Sequence, residues 1–181
     1  MKLIITRYTE TNRVAGLPGE PEAPSPKGQQ QLDRLAVVCK EEHAQAVIHS
    51  PSPRTTIAGD TLAQSLQVPA IPLNGLKERD FGDWSTWDWP RISLQISKLT
   101  AEDRYAFAPP HGESWQQMDV RLDATLQAIA ALKYDSVAVM THASCIRVLM
   151  VLLGRESKES VTRFIPSLGT PYVVDYDPAA E

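Results

Sequence analysis

Leu3-Ile4-Ile5-Thr6-Arg7 places a short apolar run, rich in β-branched residues, directly before an arginine. A run without polar alternation predicts a strand over residues 3–6 that is buried on both faces. The pattern recurs along the chain. Residues 46–49, Ala-Val-Ile-His, predict a second strand, and Arg54 follows it across Ser50-Pro51-Ser52-Pro53. Residues 137–140, Val-Ala-Val-Met, predict another, with His142 just behind it. Between these runs the apolar residues fall at helical spacing. Leu32, Leu35 and Val38 mark a helix over 29–39, which Ser25-Pro26 introduces as N-cap and first helical residue. Ile57, Leu62 and Leu66 mark a helix over 54–66. Residues 91–107 read as helical, and Pro109-Pro110-His111-Gly112 breaks the pattern. A long amphipathic helix over 113–132 then carries Met118, Val120, Leu122, Leu126, Ile129 and Leu132, and an apolar helix covers 146–153. Residues 71–73 predict a short third strand and 172–176 a last strand at an edge. The stretches 15–28, rich in glycine and proline, and 76–90, rich in aromatic and turn residues, predict loops. Doubly buried strands alternating with helices predict an α/β fold. It is a three-layer α/β/α sandwich, a mainly parallel sheet with helices on both faces.

With 181 residues the chain is long enough for one domain, read over 1–181, with a sizeable core. Apolar residues make up 43% and charged residues 22%, as in ordinary globular proteins. A net charge of −4 argues against a non-specific nucleic-acid binder, which would carry a basic patch or stripe. Cys39 and Cys145 sit in apolar surroundings and make neither a disulfide framework nor a metal-ligand spacing. The N-terminal apolar run is too short for a signal peptide, and no stretch reaches transmembrane length. The expectation is a cytoplasmic protein with no membrane and no nucleic-acid partner.

Arg7, Arg54 and His142 each follow the end of a predicted strand. In an open parallel sheet, ligands bind beyond the carboxyl ends of the strands. Those ends would bring two guanidinium groups and an imidazole to one crevice. The planar fork of arginine suits phosphate, which it binds by paired, charge-assisted hydrogen bonds. Backbone N–H groups at the following helix N-termini add to such an anion site.

Six segments, in order, resemble the histidine phosphatase (phosphoglycerate mutase-like) superfamily. Arg7-Tyr8-Thr9-Glu10-Thr11 is similar to the opening Arg-His-Gly-Glu-Thr signature. Pro24-Ser25-Pro26-Lys27-Gly28-Gln29-Gln30-Gln31 resembles Leu-(Thr/Ser)-x-x-Gly-x-x-Gln, and His49-Ser50-Pro51-Ser52-Pro53-Arg54 resembles Ser-Ser-Pro-x-x-Arg. Leu76-Lys77-Glu78-Arg79-Asp80-Phe81-Gly82-Asp83-Trp84 is similar to Leu-x-Glu-x-x-Phe-Gly-x-Trp. Gly112-Glu113-Ser114 matches Gly-Glu-Ser, and Val139-Met140-Thr141-His142 with Ile146-Arg147 resembles Val-x-(Ser/Thr)-His-Gly-Gly-x-Ile-Arg. The resemblance implies that Arg7, Arg54 and His142 hold a phosphoryl group. It implies that Glu78 is the general acid and later the base. Position 8 would carry the nucleophile. Glu113 and Ser114 would line or support the pocket. No metal and no cofactor is implied, because the cationic side chains stabilise the charge.

The chain departs from that pattern at its centre. Tyr8 stands where the nucleophilic histidine belongs. A phenol titrates at about 10, so it is a weak nucleophile at neutral pH, whereas imidazole titrates near neutrality. Thr9 replaces a glycine, Ala143-Ser144 replaces a glycine pair, Val14 stands at an asparagine position and Ala58 at a threonine position. Cys145, Ser50 and Ser52 are other nucleophile candidates, but the sequence offers the serines no obvious base. The reading is a protein of this family with a phosphate-binding pocket, catalytically impaired or inactive through Tyr8. Its partner is a small phosphorylated molecule or inorganic phosphate. The alternative is an active phosphatase of small phosphate esters that uses Tyr8 or direct water attack, with Tyr8, Glu78 and His142 as catalytic residues. A third reading makes the pocket a relic and Trp84, Trp87 and Trp89 a partner surface, against a satellite core under a loop.

Overall fold

The computed structural model describes residues 1–12 and 23–179. Five strands form one sheet: β1 (Lys2–Arg7), β2 (Val47–His49), β3 (Ala70–Pro72), β4 (Ser136–Thr141) and β5 (Pro171–Asp175), in the order β3-β2-β4-β1-β5. The pairs β1·β4, β2·β4 and β2·β3 are parallel, and β5 closes the edge antiparallel to β1. The helices are α1 (Pro26–Glu41), α2 (Pro53–Leu66), α3 (Trp89–Ile96), α4 (Ala101–Ala106), α5 (Trp115–Ala131) and α6 (Ala143–Leu152). None of the described helices is long and apolar enough to cross a membrane.

Side chains alternate along the strands and build two cores. Ile4, Val47, Ala138 and Met140 face Leu32, Leu35, Ala58 and Leu62 of α1 and α2. Leu3, Ile5, Ile48, Val137 and Val139 face Met118, Leu122, Ile129, Ile146 and Leu149 of α5 and α6. This is the three-layer sandwich that the doubly apolar runs imply. Burying one such side chain stabilises the fold by about 1.5–3 kcal/mol, so central strands without a polar face are what this architecture requires.

Local chemistry sets the helix starts. Ser25 caps α1 by accepting the Gly28 N–H at 3.0 Å, with proline in the first turn. The helix therefore begins three residues before the periodic stretch 29–39. Ser114 and Gln117 form a reciprocal capping box, so α5 starts at Trp115 and Glu113 precedes it. The stretch 91–107 is two helices, not one. Asp88 caps α3 two residues early, and Thr100 restarts the chain as α4 by accepting the Asp103 N–H at 3.1 Å. Helix α6 begins at Ala143, so Ala143-Ser144 is its first turn. The stretch expected as loop over 76–90 is so over 77–88, with a 3₁₀ turn at Gly82–Trp84; Leu76 closes another such turn, and Trp89-Pro90 already belong to α3. Val120 does not face the core: it is 75% exposed. It lies two residues from both Met118 and Leu122, on the opposite side of the helix. The expectations for Val14 and for most of the proline-rich loop fall outside the described residues.

Two glycines are needed for close approach. A Cβ on Gly28 would lie 1.9 Å from the Glu10 carbonyl oxygen. Gly82 has φ of +50°, and a Cβ there would lie 2.2 Å from the Pro110 oxygen. Gly28 thus lets α1 pack on the loop after β1. Gln31 of the same helix accepts the Glu10 N–H at 2.8 Å.

Candidate functional site

The carboxyl ends of β1, β2 and β4 meet at one place. Arg7 is the last residue of β1 and pairs with Thr141 of β4. The ladder runs one residue further, with the Tyr8 N–H donating to the Thr141 oxygen at 3.2 Å. That contact fixes Tyr8 beside His142. Alternation then turns the Tyr8 ring to the Ile4 face, where it packs against the α1–α2 core. Arg54 is the second residue of α2, behind Pro53.

Two guanidinium groups flank the Tyr8 ring. The Arg54 guanidinium carbon lies 4.6 Å from the ring centroid and that of Arg7 5.2 Å. Both are within cation–π range. Arg7 also donates from Nη2 to the Tyr8 hydroxyl at 3.4 Å and from Nη1 to the Pro166 carbonyl at 3.3 Å. The His142 ring meets Tyr8 edge-on, with centroids 5.7 Å apart.

His142 is fully buried and is the N-cap residue of α6. Its Nε2 lies 2.9 Å from the Ser50 hydroxyl, and its buried Nδ1 has no partner in the structure. Burial, then the charges of Arg54, Arg7 and Arg121, push its pKa down to about 3. The imidazole is therefore neutral at ordinary pH, and cationic charge here comes from the arginines. Ser50, which the sequence leaves without a base, has this imidazole as its partner. Contact across 92 residues of chain is invisible to local reading.

Glu78 is held one step away. Its Oε1 accepts the Ser144 N–H of the first turn of α6 at 3.2 Å and the Arg79 N–H at 2.9 Å. A carboxylate at a helix N-terminus is favoured by the dipole. The segment before it is pinned by Arg121 of α5. Arg121 Nη1 donates to the Gly75 and Lys77 carbonyls at 2.6 and 3.0 Å, while Nε and Nη2 hold both Glu113 oxygens at 2.8 and 2.6 Å. Glu113 and Glu78 line one open cleft, and Ser114 acts as the cap of α5. Thus Arg7, Arg54 and His142 each meet Tyr8, while Glu78 is held beside them at the N-terminus of α6.

The other candidates separate clearly. Burial pushes the thiols of Cys39 and Cys145 up to about 12, so neither is a thiolate nucleophile at neutral pH. Thr9 is fully buried, and its hydroxyl has no partner. Trp84 is buried and stacks on Trp87 at 4.8 Å, which makes a satellite core, whereas Trp89 is 59% exposed. Two cations, buried Arg79 and half-buried Arg147, escaped the sequence reading as site residues, although both lie in quoted motifs. Arg79 donates to the Glu113 and Phe107 carbonyls, and Arg147 to the Phe164 carbonyl. Arg147 stands inside an apolar run, which was the available signal, whereas Arg79, between Glu78 and Asp80, carries no local sign of burial.

The chain is 28% identical over 128 residues to the 2,3-bisphosphoglycerate-dependent phosphoglycerate mutase 1 of Gloeobacter violaceus. The match covers 67% of this chain and 54% of that protein, so the chain spans about half the length of the curated relative it matches. The α-ribazole phosphatase of Shigella flexneri superposes with a TM-score of 0.76 at 20% identity, over 98% of this chain and 92% of that one. A mycobacterial glucosyl-3-phosphoglycerate phosphatase, solved with inorganic phosphate, does so with a TM-score of 0.72 at 18% identity, over 92% and 85%. At these identities the two structures share the fold. Residues 6–180 match the histidine phosphatase superfamily (branch 1), and the chain belongs to that family.

Proposed function

We propose that the chain binds the phosphoryl group of a small phosphate ester, or inorganic phosphate, between Arg7, Arg54 and His142, and that Tyr8 impairs its turnover. The observation that carries this reading is the Tyr8 ring between two guanidinium groups, 4.6 and 5.2 Å from their carbons. Two arginines at strand and helix ends, with a neutral imidazole beside them, form a field suited to a dianion. The ring fills space between those cations, and a phenol is a weak nucleophile at neutral pH. The named relatives act on phosphorylated small molecules, which fits this ligand class.

A second reading is favoured by Glu78, whose carboxylate is held at the α6 N-terminus. In an active phosphatase, the Tyr8 hydroxyl or a water attacks phosphorus and loses its proton to a non-bridging phosphate oxygen. The bond from phosphorus to the leaving oxygen breaks, and Glu78 supplies the proton to that oxygen. In the Tyr8 route a water, deprotonated by Glu78, then cleaves the tyrosyl phosphate, and the departing phenolate takes its proton back from the phosphate.

Hydrolysis of an aryl phosphate by the wild type and by Tyr8→His, over acid to alkaline pH, separates the two. The expected result is an inert wild type and a gain of turnover in Tyr8→His. Turnover by the wild type that equals or exceeds that of Tyr8→His refutes the impaired reading. If that turnover is lost in Tyr8→Phe, the phenol is the nucleophile; if it persists, water attacks.

A further inference from the structure

We infer that the cavity between α3, α4 and α6 seats the non-phosphate portion of the ligand, and that it takes a flat apolar group bearing its own negative charge, such as an aromatic carboxylate. This rests on the proposed phosphate site only for its neighbour; the cavity's own chemistry argues for its occupant. The cavity measures about 280 Å³, at the small end of ligand pockets.

Its lining contains four arginines, Arg79, Arg104, Arg147 and Arg163, and no aspartate or glutamate. Arg79 is only 5% exposed, and burial pulls its pKa down to about 10 against the raising effect of Glu113 and Glu78. Arg147 is lowered likewise, chiefly by burial, with Glu78 opposing and Arg7 adding to the fall. The partners these two donate to are neutral carbonyls. Arg104 caps the end of α3 through Nε on the Ile96 and Leu99 carbonyls, and Arg163 pairs loosely with Glu159 at 3.8 Å. Four guanidinium groups with no carboxylate in the lining make the cavity wall positive, and an anion relieves that.

A second observation points to a ligand. Trp115 is 7% exposed and lines the cavity, and its indole Nε1 is buried without an acceptor. That leaves an unmet donor in a residue of the cavity wall. The apolar share is equally specific. Trp115, Phe81, Phe107 and Trp89 present aromatic surface, and Trp89 and Ile165 remain 59% and 72% exposed. Flat rings stack on such walls. The cavity adjoins the elements that carry the candidate phosphate site. Ser144 lines it and donates its N–H to Glu78, and Ile165 precedes Pro166, whose carbonyl holds Arg7.

Titration of the full chain with naphthoate, and separately with inorganic phosphate, tests this, read by the Trp115 indole N–H resonance identified with Trp115→Phe. Naphthoate is expected to move that resonance at saturable concentration, and naphthylmethylamine is not. Trp89→Ala, at an exposed position, is expected to weaken naphthoate severalfold. Carboxyphenyl phosphate should bind roughly tenfold tighter than phenyl phosphate, as one charge-assisted hydrogen bond predicts. If naphthoate fails while inorganic phosphate binds, the cavity assignment is wrong and the phosphate site stands. If naphthoate binds and phosphate does not, the phosphate site falls and the cavity stands. Failure of both ligands overturns both assignments.

Discussion

Tyr8 and His142 touch each other, yet opposite forces set their environments. The Tyr8 ring is half-buried and supported by two cations, whereas the His142 ring is sealed among them. A buried imidazole facing guanidinium groups resists protonation, which the pKa of about 3 expresses. That depression has a sign. In the unfolded chain the same imidazole titrates at about 6.5, so below that pH the unfolded state binds the extra proton. The neutral site's stability is therefore complete above about pH 6.5 and falls as the pH drops from there towards 3. Between about pH 6.5 and 5 this group alone should remove about 2 kcal/mol. Urea unfolding at neutral and mildly acid pH should show the wild type losing about that much more than His142→Gln, whose side chain does not titrate. Equal losses would mean that the imidazole is protonated, or reached by water, in the folded protein.

At the scale of elements, caps and close contacts decide where each helix begins and what it touches. Ser114 satisfies the Gln117 N–H at 3.0 Å, and Gln117 returns the favour to the Ser114 N–H at 2.7 Å. Ser114→Ala should cost about 1 kcal/mol of unfolding free energy. Gly28→Ala tests a reversal of sign. Alanine inside a helix ordinarily stabilises by about 1 kcal/mol over glycine. Here the added Cβ would meet the Glu10 carbonyl at 1.9 Å, and overpacking of this kind costs about 1–3 kcal/mol. Denaturant midpoints should therefore fall in both variants. A rise for Gly28→Ala would show that the loop after β1 yields freely to α1.

Across the whole molecule, the sheet gathers cations at one end of a chain whose net charge is −4. Local field rather than total charge governs which ligands enter such a crevice. A bound anion stabilises the folded state by mass action, about 2.7 kcal/mol at a hundredfold excess over Kd. Thermal unfolding of the wild type should rise with inorganic phosphate but not with matched chloride, and Arg54→Ala should flatten that rise. A wild-type midpoint indifferent to phosphate would favour the reading in which the pocket is a relic.

The sequence by itself determined the layered architecture, because strand burial and helical spacing are local patterns. An apolar run such as residues 3–6, without polar alternation, has only doubly covered places to go. It also placed Arg7, Arg54 and His142 at one end, because the carboxyl ends of parallel strands share a side. Boundaries were less legible where a capping side chain overrode periodicity, as Thr100 does within 91–107. Only the tertiary structure decided the rest. The pairing of Ser50 with His142 spans 92 residues, and Arg79 reaches carbonyls 28 and 34 residues away. The ring of Tyr8 lies between Arg7 and Arg54 because β1 and α2 converge there. Such contacts are fixed by how whole layers pack, and no residue's immediate neighbours in the chain encode them.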